Sequence, residues 1–379
     1  MIAFVHHGLS YIVPFLFVLT VLVFVHEFGH FYVARRNGVR VDVFSIGFGP
    51  ELFGWHDRAG TRWKFSAIPL GGYVKMFGDS DASSGLPSAG LASMTPAERD
   101  LSFHYKRLGQ RAAIVAAGPA ANFLFAIVVL ALLFMTFGQP FTPAEVGQVQ
   151  PNSAAERAGI KSGDVIVSIN GGRVRSFEDL QQEVRLNPGV PMTIGIKRDG
   201  RDISVQATPK KSELTDRFGN HYEVGLLGIA HKGIDYVRRD PATAILQAGE
   251  QTWDLSASTL KAMWQIVIGT RGTDELGGPL RIAQMSGDVA QGGFVPIIWF
   301  MSVLSINLGL INLFPVPILD GGHLLFYAAE ALRGKPLGQR AQEFGFRIGL
   351  ALVLTLMVFA TWNDLVHLRI VQFVKGLVT

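Results

Sequence analysis

Residues 23–36, VFVHEFGHFYVARR, place two histidines and a glutamate at the end of a strongly apolar segment. A charged side chain at the centre of a bilayer costs roughly 2.5–3.5 kcal/mol on insertion scales, so such groups are usually paired, bound to a ligand or close to the membrane edge. His26 and His30 are four residues apart, which puts them on one face of a helix where both can bind one metal ion. Glu27 can then reach a water on that metal. The stretch therefore predicts a metal site on a membrane helix.

The composition is that of a membrane protein with a water-exposed part. The 379-residue chain is 49% hydrophobic and 17% charged, whereas soluble domains are about 25% charged. Its net charge of +4 and the lack of a long Lys/Arg run give no indication of a nucleic-acid partner. The chain has no cysteine, so any transition metal must be held by His, Asp or Glu.

Four segments are predicted to span the membrane, because each offers an apolar run near the roughly 20 residues that a helix needs. They are residues 1–35, 112–138, 294–328 and 347–379, the last with a tail. The first span has no preceding basic residue and no A-x-A cleavage site, so we interpret it as retained and not as a signal peptide. Basic residues are concentrated in segments 36–111 and 329–346, which predicts that both are cytoplasmic and that both chain ends lie outside.

The remaining segments predict three further parts. Residues 41–76 alternate apolar with small or polar residues around a turn, which indicates a β-hairpin that is either membrane-associated, holding an extended peptide by strand addition, or a cytoplasmic surface hairpin. Residues 142–211 contain NSAAERAGIKSGDVIVSINGGRVRSFEDL, which resembles a circularly permuted bacterial PDZ domain. They also predict a helix from Ser176 to about Arg185, capped by that serine, and a hairpin that turns at Asp199 and Gly200. Residues 212–293 predict a linker and an interfacial amphipathic helix. The predicted fold is a polytopic α-helical membrane protein with four transmembrane helices, a membrane-associated β-hairpin and an inserted extracytoplasmic PDZ-like α/β domain.

The third span carries a candidate for the third metal ligand. Residues 311–323, INLFPVPILDGGH, end an apolar segment with Asp320, which is either a ligand or a helix cap. Pro315 and Pro317 break the helix and leave backbone groups free, which is tolerable where they line a site. Asn312 could hydrogen-bond a substrate backbone there. The orientation derived from loop charge places Asp320 and the two histidines at one depth near the cytoplasmic face.

These features are compatible with functions of different classes. The first is an intramembrane endopeptidase in which Glu27 acts as a general base toward water on zinc. The alternative is a metal-binding membrane transporter or scaffold without protease activity, which would not require Glu27 as a base. A third possibility is an inactive relative that presents its PDZ-like domain to partners.

The paired motifs also resemble those of a known family. HEFGH together with NLFPVPILDGG is similar to the H-E-x-x-H and N-x-x-P-x-P-x-x-D-G pair of the site-2 proteases, and GFGP, PLGGYVKM and GPAANFLFA are similar to the bacterial regulator-of-sigma-E protease branch. The resemblance implies zinc on His26, His30 and Asp320, with Glu27 as general base. It also implies that the substrate-binding residues are Asn312, Pro315, Pro317, Gly47 and Gly49.

The resemblance further implies a partner and a location. The substrate would be a single-span membrane protein, typically an anti-sigma factor already shortened by another protease, in the bacterial plasma membrane. The chain departs from the branch in one respect, because it offers one PDZ-like unit where that branch commonly has two. This departure leaves the filtering of substrates and their identity open, and the sequence says nothing about the oligomeric state.

Overall fold

The computed structural model describes residues 2–79, 94–215, 221–233, 235–269, 272 and 277–367. The chain divides into two compact units. The helical unit comprises Met1–Leu132, Ile245–Trp264 and Thr273–Thr379, and the strand-rich unit comprises Leu133–Ala244 and Gln265–Gly272.

The described elements are numbered here in chain order. The helices are α1 (Ile2–Arg36), α2 (Pro96–Leu101), α3 (Leu108–Thr136), α4 (Ala154–Arg157), α5 (Phe177–Leu186), α6 (Pro241–Val267), α7 (Pro279–Gln291), α8 (Phe294–Asn312), α9 (Asp320–Arg333) and α10 (Gln339–His367). The strands are β1 (Val41–His56), β2 (Arg62–Met76), β3 (Gln139–Phe141), β4 (Val146–Val149), β5 (Val165–Ile169), β6 (Gly172–Arg173), β7 (Met192–Arg198), β8 (Arg201–Ala207), β9 (Lys210–Thr215), β10 (His221–Leu226), β11 (Ile229–His231) and β12 (Asp235–Val237).

In the part of the chain that the structure describes, four helices are long and apolar enough to cross a membrane, as predicted. Their apolar stretches are Ser10–Arg36, Leu108–Thr136, Phe294–Asn312 and Arg340–Val366. In α1 and α3 an interior proline, Pro14 or Pro119, is accommodated within the helix. Such prolines are common in membrane helices because neighbouring groups satisfy the freed backbone carbonyl.

The third predicted span, residues 294–328, consists of two helices. Helix α8 ends at Asn312 and α9 begins at Asp320, with Pro315 and Pro317 in the turn between them. A proline has no N–H and restricts the residue before it, so two prolines separated by one residue strongly disfavour a continuous α-helix. The predicted break is therefore present, and it places Asp320 in the first turn of a new helix.

Two segments hold more helix than the sequence pattern indicated. The predicted loop 329–346 is mostly helical, because α9 continues to Arg333 and α10 begins at Gln339. The predicted linker 212–293 contains α7 in addition to the expected α6. The Asp364 carboxylate of α10 accepts hydrogen bonds from the backbone N–H groups of Gly278, Leu280 and Arg281 at the start of α7. This cap comes from a distant helix, which is why a local sequence pattern misses α7.

The predicted β-hairpin is confirmed, with β1 and β2 paired antiparallel. At its turn the Asp57 carboxylate accepts hydrogen bonds from the N–H groups of Ala59 and Thr61, both at 2.9 Å, as in an Asx turn. The ends of the strands near α1 are buried, and Phe44 is completely covered. Toward the turn Leu52 is 72% and Phe53 is 59% exposed, so the hairpin presents an apolar surface there.

The strand-rich unit contains the domain predicted to be PDZ-like. Its main sheet has the strand order β6-β5-β7-β8. The predicted helix is present as α5, and Ser176 caps it in a capping box with Asp179. The predicted hairpin turn at Asp199 and Gly200 joins β7 to β8, and both residues have positive φ, as a tight hairpin turn requires.

This unit extends past the predicted boundary at residue 211. Strand β11 pairs with β4, with Ile229 opposite Val149, and Leu227 is a buried member of the core. Strands β3 and β12 form a second pair between distant segments, with Asp235 opposite Phe141. The segment predicted to be a linker therefore completes the domain. The sequence pattern did not indicate this, because strand partners about 80–95 residues apart cannot be recognised from local periodicity.

We expect the stability of the strand-rich unit to fall at acid pH because of Asp164. This carboxylate is 1% exposed and accepts two hydrogen bonds of 2.7 Å from Arg198. The Arg198 guanidinium, with the backbone N–H of Lys161, lowers the pKa of Asp164 below its ordinary value. A lowered pKa in the folded state adds stability above the unfolded-state pKa of about 3.9, and this stability is lost as the pH falls through the folded-state value.

Asp164→Asn should therefore reduce the free energy of unfolding by about 1–3 kcal/mol at neutral pH and flatten its acid dependence. Urea unfolding of the full-length protein, followed by pulsed hydrogen exchange in β5 and β7, measures this quantity. The exposed Asp202 of β8 offers a matched control, since Asp202→Asn should change neither value. Equal acid dependence in the wild type and Asp164→Asn would contradict the prediction.

Candidate active site and metal centre

His26 and His30 lie one turn apart near the end of α1, as their spacing predicted. Their Nε2 atoms are 3.2 Å apart. Their side chains are 12% and 11% exposed, so both rings are mostly withdrawn from solvent. Two Nε2 atoms held this close in a buried place need either a proton or a cation between them.

Asp320 completes a triangle with the two histidines. Its Oδ2 lies 3.2 Å from the Nε2 of His26 and 3.5 Å from the Nε2 of His30. Within the described part of the chain, this buried oxygen has no hydrogen-bond partner. Among the residues that the structure describes, these three form the only group of three or more His, Cys, Asp or Glu side chains arranged to hold a metal ion.

The glycines that follow Asp320 allow the loop to fold over the start of α9. A Cβ atom at Gly321 would lie 2.2 Å from the carbonyl oxygen of Leu313, and one at Gly322 would lie 2.2 Å from that of Val316. Only glycine fits so close to backbone atoms. The DGG sequence thus lets the proline-broken turn pack against the helix that carries the carboxylate.

Helix α3 orients the histidine rings from the other side. The Nδ1 of His30 is 2.9 Å from the carbonyl oxygen of Ile114, to which it donates a hydrogen bond, so its Nε2 keeps a free lone pair. A Cβ atom at Gly118 would lie 2.2 Å from the Nε2 of His30 and 2.8 Å from the Cε1 of His26. The side-chain amide of Asn122 lies 3.1 Å from the Nδ1 of His26.

Glu27 faces the same cavity as the three candidate ligands. The cavity has a volume of about 200 Å³, and its walls include His26, Glu27, His30, Asn312, Asp320 and Gly72. The backbone N–H of Val74, in β2, donates a hydrogen bond to the Glu27 carboxylate. A Cβ atom at Gly72 would lie 3.3 Å from the Cγ of Glu27 and 2.7 Å from a methyl group of Val23. The hairpin therefore forms one wall of the cavity and holds the glutamate.

The donor set fits a catalytic zinc ion. Tetrahedral ligands about 2.0–2.1 Å from zinc stand about 3.3 Å from one another. The three observed separations, 3.2, 3.2 and 3.5 Å, agree with that geometry. Two imidazole nitrogens and one carboxylate oxygen are a ligand set typical of catalytic zinc, and such sites keep a fourth position open for water or substrate.

The structure does not gather all the predicted substrate-binding residues at the cavity. Asn312 lines it, whereas Pro315, Pro317, Gly47 and Gly49 are absent from its walls. The ring of Pro317 packs toward Gly349 of α10. Gly47 and Gly49 have φ values of +89° and +83° in an irregular part of β1, so their contribution is to backbone shape.

Four residues next to the glutamate or the histidines have no role predicted from the sequence. They are Gly72, Val74, Gly118 and Asn122. The sequence did contain a signal for Asn122, because a polar side chain in an apolar span is costly and usually marks a functional site. No such signal marks a glycine or a backbone N–H.

Comparisons with known proteins identify the family. The profile of Peptidase family M50 matches residues 14–356. A relative from Agrobacterium fabrum that is named as a zinc metalloprotease is 48% identical over 94% of this chain and 96% of its own length. Metalloprotease MmpA of Caulobacter vibrioides is 38% identical over 97% of this chain and 98% of its own length. The PDZ domain of an SdrC-like protein from Listeria monocytogenes covers 24% of this chain and 88% of its own length at 17% identity, with a TM-score of 0.19, too low to support an argument.

The fold and site define a multi-pass membrane zinc metalloprotease. The chain belongs to peptidase family M50, the site-2 protease family, as its paired motifs predicted. The zinc cofactor and the enzymatic class predicted from the sequence are thereby confirmed.

Proposed function

We propose that the protein hydrolyses a peptide bond within the transmembrane segment of a single-span membrane protein. The observation that carries the proposal is the convergence of His26, His30 and Asp320 beside Glu27 in one cavity, on elements that include apolar helices long enough to span a membrane. A soluble protease would not need its site on such helices.

Four residues that line the cavity have chemical roles in this proposal. His26, His30 and Asp320 bind zinc, and Glu27 is the general base. When bound, zinc supplies a Lewis acid for the substrate carbonyl and an acidified water. Glu27 takes a proton from the attacking water and then delivers it to the departing amine, as a general base does before it becomes the general acid.

Asn312 positions the substrate in this proposal. Its side chain faces the cavity at the end of α8, where the helix stops and leaves room for an incoming backbone. The substrate must be extended there, because a carbonyl within a helix is already hydrogen-bonded and sterically covered. Strand addition to the hairpin would stabilise the extended form, and the exposed apolar side chains near its turn would contact the rest of the segment.

The location in the membrane is part of the proposal. The histidines lie near the end of α1, which finishes with Arg35 and Arg36. Basic residues at a helix end favour the cytoplasmic side. We therefore place the active site near the cytoplasmic face of a bacterial plasma membrane, with both chain ends and the PDZ-like domain outside. The substrate class that fits is an anti-sigma-factor-like protein after a first cleavage.

Cleavage of a purified single-span protein tests this function directly. The full-length enzyme with zinc should cut within the apolar segment, and mass spectrometry of both products locates the bond. His30→Ala should lose both zinc and cleavage, because it removes one of three protein ligands. Cuts confined to the flanking loops would contradict the intramembrane assignment. A zinc-loaded enzyme that leaves several such substrates intact would favour the transport or scaffold alternative.

We further propose that the PDZ-like domain excludes substrates with bulky outer domains. Because Phe141 and Asp235 are paired neighbours, residues 142–234 can be replaced by a short Gly-Ser linker without separating the ends that remain. We expect this variant to cut substrates with a folded outer domain that the wild type leaves intact, while both cut the shortened substrate at similar rates. Unchanged selectivity between long and short substrates would contradict the proposal.

A further inference from the structure

Asn122 is a buried polar residue to which the mechanism above gives no role. It lies in α3 with no exposed surface. Its amide approaches the Nδ1 of His26 to 3.1 Å. The Oδ1 atom of the same amide has no hydrogen-bond partner among the residues that the structure describes. A buried polar atom without a partner costs free energy, so the presence of this amide beside a metal site needs an explanation.

The explanation lies in which ring nitrogen of His26 carries the proton. Its Nε2 faces Asp320 and His30, so binding zinc requires a lone pair on Nε2 and the proton on Nδ1. An Nδ1–H needs an acceptor, which an amide nitrogen cannot be. Rotation of the Asn122 amide by half a turn exchanges its oxygen and nitrogen within almost the same volume. The oxygen then accepts the Nδ1–H hydrogen bond.

We propose that Asn122 is a positioning residue whose amide oxygen accepts a hydrogen bond from the Nδ1–H of His26 and thereby holds the tautomer that binds zinc. Ile114 does the same for His30 through its backbone carbonyl, eight residues earlier. Gly118 lies midway and makes room for both rings. Three positions spaced by four residues on one face of α3 thus orient both histidines.

The inference rests on the proposed role of His26 as a zinc ligand, and zinc affinity tests it without relying on proteolysis. The zinc dissociation constant of the purified full-length protein is measured by competition with a chelator. Asn122→Leu should bind zinc about 10–100-fold more weakly, the usual effect of losing a hydrogen-bond partner of a ligand. Asn122→Asp keeps an acceptor oxygen and should retain at least the wild-type affinity.

Two further variants distinguish the hydrogen bond to His26 from helix packing and from the ligand role of His26 itself. The Ser305 hydroxyl donates a 2.9 Å hydrogen bond to the backbone carbonyl of Asn122, so Ser305→Ala disturbs the same helix contact without touching the amide. It should leave zinc affinity unchanged. His26→Ala should lose zinc, and retention of zinc would instead overturn the ligand assignment.

Three results would overturn the proposed role of Asn122 without affecting the proposed function of the protein. These are wild-type affinity in Asn122→Leu, an equal loss in Asn122→Asp and Asn122→Leu, or an equal loss in Ser305→Ala and Asn122→Leu. The second would show that no acceptor oxygen is needed, and the third would show that packing alone is responsible. In each case the loss of zinc in His26→Ala would leave the proposed function standing.

Discussion

Glu27→Gln should lower the rate of proteolysis by several orders of magnitude and leave zinc in the protein. Glutamine has almost the same shape, and its side-chain oxygen can still accept the hydrogen bond from Val74. It cannot take up a proton from water, however, so the general base that we propose is lost. General acid–base catalysis is worth about 10²–10⁴-fold in rate, and the cleavage rate should fall by that factor.

Cleavage kinetics and zinc content, measured on the same preparation, test this prediction. Glu98→Gln provides a control, since Glu98 caps the short helix α2 through Thr95 and is not part of the cavity wall. It should keep both zinc and activity. Cleavage by Glu27→Gln at close to the wild-type rate would exclude Glu27 as the base. Loss of zinc together with activity would show that Glu27 helps to hold the metal.

Gly118→Ala should reduce zinc binding and cleavage as much as the loss of a zinc ligand, although it adds only one methyl group. The new carbon would lie 2.2 Å from the Nε2 of His30 and 2.8 Å from the Cε1 of His26. Cβ atoms in proteins essentially never lie this close to other atoms, so a neighbouring group must move. Either both rings move or α3 moves away from α1. A displacement of about 1 Å at a reacting centre costs on the order of 10²-fold in rate, so zinc binding and cleavage should both fall steeply.

Gly109→Ala is the matched control on the same helix. A Cβ atom at Gly109 meets nothing within 4 Å, so alanine fits there without displacing a neighbour. We expect unchanged zinc content and cleavage in this variant. Zinc content, cleavage rate and thermal unfolding of the two variants should be compared side by side. Full zinc occupancy and activity in Gly118→Ala would show that α3 does not restrict the rings.

The sequence predicted the site better where its residues follow one another than where they come from distant segments. The spacing of His26 and His30 indicates a shared helix face because helical periodicity is a local property. The proline-broken turn before Asp320 is likewise local, because it follows from the missing N–H of proline. By contrast, the strand that hydrogen-bonds Glu27 and the helix that orients both rings lie far along the chain.

The domain boundaries show the same division. The hairpin 41–76 and the α5 cap at Ser176 were predicted from turn and capping residues that act over a few positions. The end of the strand-rich unit was misplaced because β11 pairs with β4 about 80 residues earlier. Helix α7 was missed because its cap is a carboxylate 83–86 residues further along the chain.

By itself, the sequence determined the four apolar helices, the hairpin, the candidate metal-binding residues and the family to which the chain belongs. The tertiary structure alone decided what surrounds those residues. The carbonyl that orients His30 and the amide beside His26 are 84 and 96 residues away in the chain. Both contacts with the histidines depend on the packing of α3 against α1 at Gly118. No local sequence pattern specifies which atoms such packing brings together.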